Sequence, residues 1–312
     1  MTSASESGWV DTSRAGPPPS EVHIDAALAS ALVATQAATF ADAGIDDRFD
    51  GWDMAVFRLG DGYAVRLPRT EAAVTSLAVE VRALNEVGAT WSFARPSVVH
   101  VGEPGEGYPW PWAVTTWLAG RTADLNPLPA DAGAAVGAAL AEVHSAPVVD
   151  APFNLEQSIP LEERGALFEW ALPIVAEREG PDGERLDLAV SRDVWAEALA
   201  AGAPGAPVWS HADCHGSNLV NLDGRFGGII DWGKMSACDR AVDLAFLTTA
   251  MPWSGVEQAL AVYREKTAVE DGGLEARLRG IALAKAASWA TLDRHVNVVM
   301  AWRAFAELDC LR

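Results

Sequence analysis

Residues 208–244 read VWSHADCHGSNLVNLDGRFGGIIDWGKMSACDRAVDL. His211, Asp213, His215, Asn218 and Asp231 stand here around two short apolar runs, Asn218-Leu219-Val220 and Gly228-Ile229-Ile230. The link between the runs contains Leu222-Asp223-Gly224-Arg225. An Asp-Gly pair signals a hairpin, because the tight turn needs a positive φ that Gly accepts without steric cost. The stretch therefore predicts loop, strand, turn, strand, loop. A hairpin doubles back on itself, so Asp213, Asn218 and Asp231 fall at the same end. Carboxylate and amide oxygens brought together in this way suit a hard cation such as Mg²⁺.

The rest of the chain bounds what this centre can do. With 312 residues, half of them hydrophobic, there is enough chain for two lobes and a sizeable core. The formal charge of −20 argues against nucleic acid as a partner, since binding its backbone needs a basic stripe. It suits cationic ligands, and an acidic surface also serves solubility. Three cysteines without paired spacing point to a reducing compartment and a cytoplasmic location. The chain has no apolar run of about 18 residues, so no membrane partner is expected. Residues 1–20 lack the basic start and apolar centre of a signal peptide and close on Pro17-Pro18-Pro19-Ser20, which predicts a disordered leader.

Outward from the centre, periodicity divides the chain. A helix is predicted over 21–43. Strands follow at Met54–Leu59 and Tyr63–Leu67, around Gly60-Asp61-Gly62, with a short one before them at Ile45–Phe49. From Thr70 the pattern turns helical, with Ala73, Leu77, Val81, Leu84 and Val87 on one face up to Gly88. Strands are predicted again at 96–101 and 112–117. Residues 21–118 thus form a small sheet-rich lobe, and Leu118-Ala119-Gly120-Arg121 reads as a hinge. Over 119–312 helices dominate, at 129–144, 160–175, 186–201, 240–251, 255–269, 273–287 and 291–311, with the hairpin embedded among them. The fold class is α+β, with a small antiparallel-sheet N-terminal lobe and a larger helical C-terminal lobe.

The central stretch resembles the catalytic core of the aminoglycoside phosphotransferase family, the protein-kinase-like small-molecule phosphotransferases that include macrolide phosphotransferases. That family shows His-Gly-Asp-x-His-x-x-Asn followed by Ile-Asp-Trp or Ile-Asp-Phe. Here the residues are His211-Ala212-Asp213-Cys214-His215-Gly216-Ser217-Asn218, then Ile230-Asp231-Trp232, with Ala212 in place of the Gly. The spacing from Asp213 to Asn218 is also that of the kinase catalytic loop. The resemblance implies a protein-kinase-like two-lobe fold. It implies transfer of the γ-phosphate of ATP or GTP to a hydroxyl of a small, cationic molecule such as an aminoglycoside or related antibiotic. A sugar or amino-alcohol kinase is the near alternative, and a nucleotide-binding protein without turnover is the distant one. By the same resemblance, Asp213 orients the acceptor hydroxyl and takes its proton, while Asn218 and Asp231 hold Mg²⁺. His211 is expected to bind backbone or Asp231, and His215 to line the substrate cleft. Asp239 and Asp243 match two acids of the family's next segment, where Cys238 and Arg240 replace its Gly and Pro. Asp243 is expected to brace the catalytic loop.

A kinase-like fold needs a cation on the α/β-phosphates, usually a strand lysine paired with a glutamate on the next helix. This chain has only Lys234, Lys266 and Lys285, so no lysine precedes residue 234. The resemblance puts Arg66 in that role with Glu80 as its helix partner, and Arg69 as the competing cation. A guanidinium clamps phosphate bidentately, with a geometry unlike that of an ammonium. The Gly-rich loop is reduced to Asp50-Gly51-Trp52-Asp53, and Trp117 and Leu118 are expected beside the nucleotide base. On the acceptor side, residues 150–200 hold twelve acidic and four basic side chains. Glu156, Glu162, Glu163 and Glu169 lie on or near the helix that lines the acceptor cleft in the family. Glu162 and Glu169 are the candidate contacts for a cationic acceptor, against the plain alternative of a solvated helix face.

Overall fold

Alternating apolar residues over 45–68 build the first sheet of the computed structural model, which describes residues 17–312. Residues 1–16 of the expected leader lie outside the described residues. Strands β1 (Ile45–Asp50), β2 (Met54–Leu59) and β3 (Tyr63–Pro68) follow one another through tight turns, the second entered at Gly60 with φ +53°. With β4 (Val98–Gly102) and β5 (Trp112–Thr116) they form one antiparallel sheet of order β1-β2-β3-β5-β4. One face, with Phe57, Leu59, Val65 and Leu67, packs on α1 (Ala26–Gln36) around Leu32 and Val33. Val56 stands opposite Arg66, and Arg58 opposite Ala64, which places these four side chains on the other face. Toward α2 (Glu71–Arg82), that second face presents Met54 to Leu77.

Capping decides where the predicted helices start and stop. The helix predicted over 21–43 is confined to α1, because Asp25 Oδ1 accepts the Leu28 N–H at 2.8 Å and Ala37 leaves helical geometry. Thr70 caps α2 in the same way, accepting from Ala73 N–H at 3.3 Å. The last turn before Gly88 loosens into a π turn, Ala83–Val87.

Beyond residue 118 a short β6 (Arg121–Thr122) precedes the helices α3 (Gly133–His144), α4 (Gly165–Ala176) and α5 (Leu188–Ala200). The central stretch supplies β7 (Val208–Ser210), β8 (Leu219–Leu222), β9 (Arg225–Ile229) and β10 (Ser236–Cys238). β8 and β9 form the predicted hairpin, and Asp223 and Gly224 both adopt positive φ in its turn. β6 joins the outer edge of β8, and β7 pairs with β10. Then come α6 (Ala241–Phe246), α7 (Trp253–Thr267), α8 (Leu274–Ala290) and α9 (His295–Glu307). The ranges predicted as 160–175 and 240–251 each include a 3₁₀ turn, Glu162–Arg164 and Leu247–Thr249. α3 is buried, as its apolar circumference predicts, and lies hard against α7. A Cβ added at Gly137 would stand 2.1 Å from the Ala259 carbonyl oxygen. The larger core fills this helical part around Trp232, Phe246 and Tyr263. Cys214, Cys238 and Cys310 are buried and unpaired. No helix among the described residues is long and apolar enough to cross a membrane.

Candidate active site

The loop between β7 and β8 is held by a buried carboxylate. Asp243, in the first turn of α6, is fully buried. Its Oδ2 accepts the His211 N–H at 2.7 Å and its Oδ1 accepts the Ala212 N–H at 2.8 Å. His144 Nε2 lies 3.0 Å from the same Oδ2, and His144 Nδ1 lies 2.8 Å from the Tyr263 hydroxyl. Helices α3, α6 and α7 thus meet on one polar chain beneath the loop. Ala212 takes φ +64°, the left-handed region that the family's Gly would enter freely. His211 bonds backbone, as one branch of its expectation has it. Its Nδ1 accepts the Asp213 N–H at 3.3 Å, which leaves Nε2–H to donate to the Ile230 carbonyl at 3.0 Å.

Asp213 emerges from this loop with its side chain partly exposed. Asn218 Nδ2 donates to the Asp213 carbonyl at 2.8 Å and approaches its Oδ2 at 3.4 Å. His215 Nδ1 accepts the Ser217 N–H, so Nε2 turns toward Asp213 Oδ1, 3.5 Å away. Burial by itself pushes the Asp213 carboxyl up. His215, by charge and hydrogen bonding, together with the charges of Lys285 and His211, outweighs this and holds the group well below the usual carboxylate range.

Asp231 follows the hairpin at φ +62°, and the Ile230 N–H donates to the Asn218 carbonyl at 2.9 Å. The Asn218 amide nitrogen is committed to Asp213, and no donor among the described residues reaches its Oδ1. That oxygen and the half-exposed Asp231 carboxylate are hard donors on backbone segments joined by the Ile230–Asn218 hydrogen bond. Mg²⁺ commonly takes one or two protein oxygens and completes its shell with phosphate and water, so these residues fit it.

The sheet brings its own cation to this point. Arg66 on β3 has Nη2 3.3 Å from Asp231 Oδ1 and Nε 2.8 Å from Glu80 Oε2 on α2. Glu80 is buried and the Arg66 side chain is only 12% exposed, so they are not surface charges. Burial disfavours the charged Arg66, but Glu80 and Asp231 more than restore it. Burial pushes the Glu80 carboxyl up against the pull of Arg66. The pair touches without hydrogen-bond alignment, since Arg66 Nε and both Glu80 oxygens lack a hydrogen-bond partner among the described residues. Arg69, the competing cation, is taken up elsewhere. It donates to Ser20 Oγ and to the Gly51 carbonyl, each at 3.1 Å.

Trp117 lies over the same sheet face as Arg66. Its ring centroid is 5.4 Å from that of Phe49 and 4.7 Å from the Arg58 guanidinium carbon. Leu118 packs instead toward the hairpin, where a Cβ on Gly228 would meet its Cδ1 at 2.8 Å. Asp53 closes the turn between β1 and β2. It accepts from Ser76 Oγ at 2.8 Å and pairs with Lys234 Nζ at 3.1 Å.

The acceptor side departs from expectation in its details. Glu162 and Glu169 are exposed, and no hydrogen bond or ion pair joins either to the loop that carries Asp213 among the described residues. Glu169 faces Arg192 on α5 instead, at 3.8 Å. The carboxylate near the centre is Glu156, 3.5 Å from Lys285 Nζ. Its loop also exposes Phe153 and Leu155. Lys234, Lys285 and Arg58 thus join the site although sequence reasoning gave none of them a role, and Glu156 does so as one of the four glutamates expected on the acceptor side. One signal for the lysines was available: all three in the chain stand in or after the central stretch.

A carboxylate, two hard oxygens and a buried guanidinium converge where two lobes meet. A sequence model of the phosphotransferase enzyme family matches residues 48–281. The fold is similar to that of macrolide 2'-phosphotransferase from Brachybacterium faecium, with a TM-score of 0.56 at 21% identity over 88% of this chain and 97% of that one. It is similar to aminoglycoside 2'-phosphotransferase-IIIa in its GDP complex, with a TM-score of 0.62 at 16% identity over 92% of this chain and 99% of that one. It is also similar to an aminoglycoside phosphotransferase from Streptomyces rimosus, with a TM-score of 0.52 at 21% identity over 86% of this chain and 100% of that one. No curated protein matches the sequence significantly. The chain belongs to the phosphotransferase enzyme family and has the kinase-like fold of aminoglycoside phosphotransferases.

Proposed function

We propose that this chain transfers the γ-phosphate of ATP or GTP to a hydroxyl of a small amine-bearing molecule, an aminoglycoside or related antibiotic. The observation that carries the reading is one continuous set of contacts between the lobes. It runs from Asp213 through Asn218 to the Ile230 N–H, one residue before Asp231, and from Asp231 through Arg66 to Glu80. On this reading residues 21–118 bind the nucleotide and residues 119–312 hold the catalytic loop and acceptor.

Asp213 orients the acceptor hydroxyl and receives its proton as the new O–P bond forms. The bond from the γ-phosphorus to its bridging oxygen breaks, and that electron pair leaves on the nucleoside diphosphate. The transition state is loose, so positioning and charge neutralisation supply most of the rate. Asn218 and Asp231 would hold Mg²⁺, which supplies charge neutralisation on the phosphate oxygens when bound. Arg66, steadied by Glu80, faces the phosphates, and Trp117 with Arg58 offers a stacking surface to the base. His215 keeps Asp213 ionised. Support for an amine-bearing acceptor comes from Glu156 near the centre and from the chain's net negative charge. The exposed Phe153 and Leu155 beside Glu156 suit an acceptor with an apolar body.

The test is phosphoryl transfer to a panel of aminoglycosides and macrolides with Mg·ATP or Mg·GTP, in the wild type and in Asp213→Ala. Transfer to at least one compound is expected, with a loss of roughly 100-fold or more in the variant. Wild-type rates in Asp213→Ala would refute the assignment. A panel in which nothing is phosphorylated would remove the antibiotic acceptor and leave a sugar or amino-alcohol kinase.

A further inference from the structure

A second cation belongs to the cluster of side chains around Asp213. Lys285 lies on α8 with its side chain 19% exposed. Its Nζ is 5.3 Å from the Trp289 ring centroid and 5.9 Å from that of Phe246. The same two rings meet the His215 ring edge-on, at 5.1 and 6.0 Å. His215 in turn lies 3.5 Å from Asp213 Oδ1. The two rings and His215 thus link the ammonium to Asp213 in one cluster, and the charge of Lys285 is felt at that carboxylate. A lysine this little exposed that is held by one carboxylate has two further donor hydrogens to place. That carboxylate, Glu156, is 73% exposed, so its hold on the ammonium is weak.

The chemistry has a place for such a cation. As the acceptor oxygen bonds to the γ-phosphorus and the bridging oxygen leaves with its electron pair, negative charge spreads over three equatorial oxygens. Arg66 and the metal ligands face that group from the nucleotide side. Arg66 is already engaged by Glu80 and Asp231, and Lys234 by Asp53 at the nucleotide turn.

We propose that Lys285 is a further catalytic residue of the transfer, binding the equatorial oxygens of the moving phosphoryl group from the acceptor side, with the exposed Glu156 holding it only loosely beforehand. The inference rests on the phosphotransferase reading above.

Calorimetric titration of the full chain with Mg·ADP and Mg·GDP, with and without aluminium fluoride, tests this apart from turnover. Aluminium fluoride mimics the phosphoryl group in transit and tightens the diphosphate only where the surrounding charges are in place. In the wild type, tightening of about tenfold or more is expected. Lys285→Met loses it while the affinity for the diphosphate alone stays within about twofold, and Lys285→Arg keeps most of it. Tightening that survives in Lys285→Met overturns the proposal. So does an equal loss in Met and Arg variants, which marks a folding role rather than a charge. No tightening in the wild type also overturns it, while diphosphate binding leaves the phosphotransferase reading standing. Failure of both diphosphates to bind the wild type refutes that reading and the inference with it.

Discussion

Replacing Asp243 by Ala tests how the loop that carries Asp213 is held. The carboxylate accepts two buried backbone N–H groups, from His211 and Ala212, and contacts His144. Removing it leaves both N–H groups without a partner in a site that water does not reach. Each stranded buried donor costs about 1–3 kcal/mol, so the pair costs about 4 kcal/mol. Breaking a buried charged partnership costs about 3–5 kcal/mol by an independent route, which agrees. At roughly 2–4 °C per kcal/mol, the melting temperature falls by roughly 8–16 °C. Asp243→Asn keeps one acceptor oxygen and is expected to lose about half as much. Turnover falls further than stability requires, because Asp213 is two residues beyond His211 and moves with the loop. A displacement of about 1 Å costs roughly 100-fold in rate. Urea unfolding followed by circular dichroism gives the first number, and kcat under folding conditions gives the second. A cost for Asp243→Ala below about 1 kcal/mol with unchanged kcat would refute the brace.

Three further outcomes follow from the same contacts. Ala212→Gly relieves a left-handed backbone and is expected to stabilise the chain by about 0.5–1 kcal/mol despite the added freedom of the unfolded state, and destabilisation on unfolding would contradict it. Gly137→Ala forces α3 off α7 and is expected to cost about 3 kcal/mol, whereas Gly205→Ala, which meets nothing within 4 Å, stays within about 0.5 kcal/mol by the same thermal melt. Asp213 ionises below its unfolded value of about 4, so it contributes stability that is fully present above that pH and lost as the pH falls through the folded value. His215→Gln removes the leading influence holding the group down. The acid limb of kcat/KM then moves to higher pH, and an unmoved limb would show that His215 does not set it.

The legible part of the site was the part carried by local sequence. Asp213, Asn218 and Asp231 are spaced by one loop and one hairpin, and the Asp223-Gly224 turn returns the chain on itself. Glu80 and Arg66 lie one strand-to-helix step apart, and their burial follows from alternation on β3 and periodicity on α2. Helix ends were less legible. Asp25 and Thr70 stop the ladder through single side-chain contacts, and 3₁₀ turns at 162–164 and 247–249 carry the same apolar pattern as a helix. In the acidic run over 150–200 the choice fell on Glu162 and Glu169, but charge alone does not say which carboxylate faces inward. Glu169 meets Arg192 on the surface of α5, while Glu156 reaches the centre.

Local sequence specified a hairpin that gathers Asp213, Asn218 and Asp231 at one end, a buried helix within 129–144, and the absence of a lysine before residue 234, because each is read from neighbours within a few residues or from the residue types alone. What surrounds the loop that carries Asp213 came from long-range packing. His144, Lys285 and Glu156 lie between 57 and 72 positions away from Asp213 in the chain. They meet there because α3, α6 and α8 pack around one apolar core, and packing is set by the shape and volume of whole elements. A two-residue turn follows from the residues that form it, whereas a contact between distant helices follows from everything that fills the space between them.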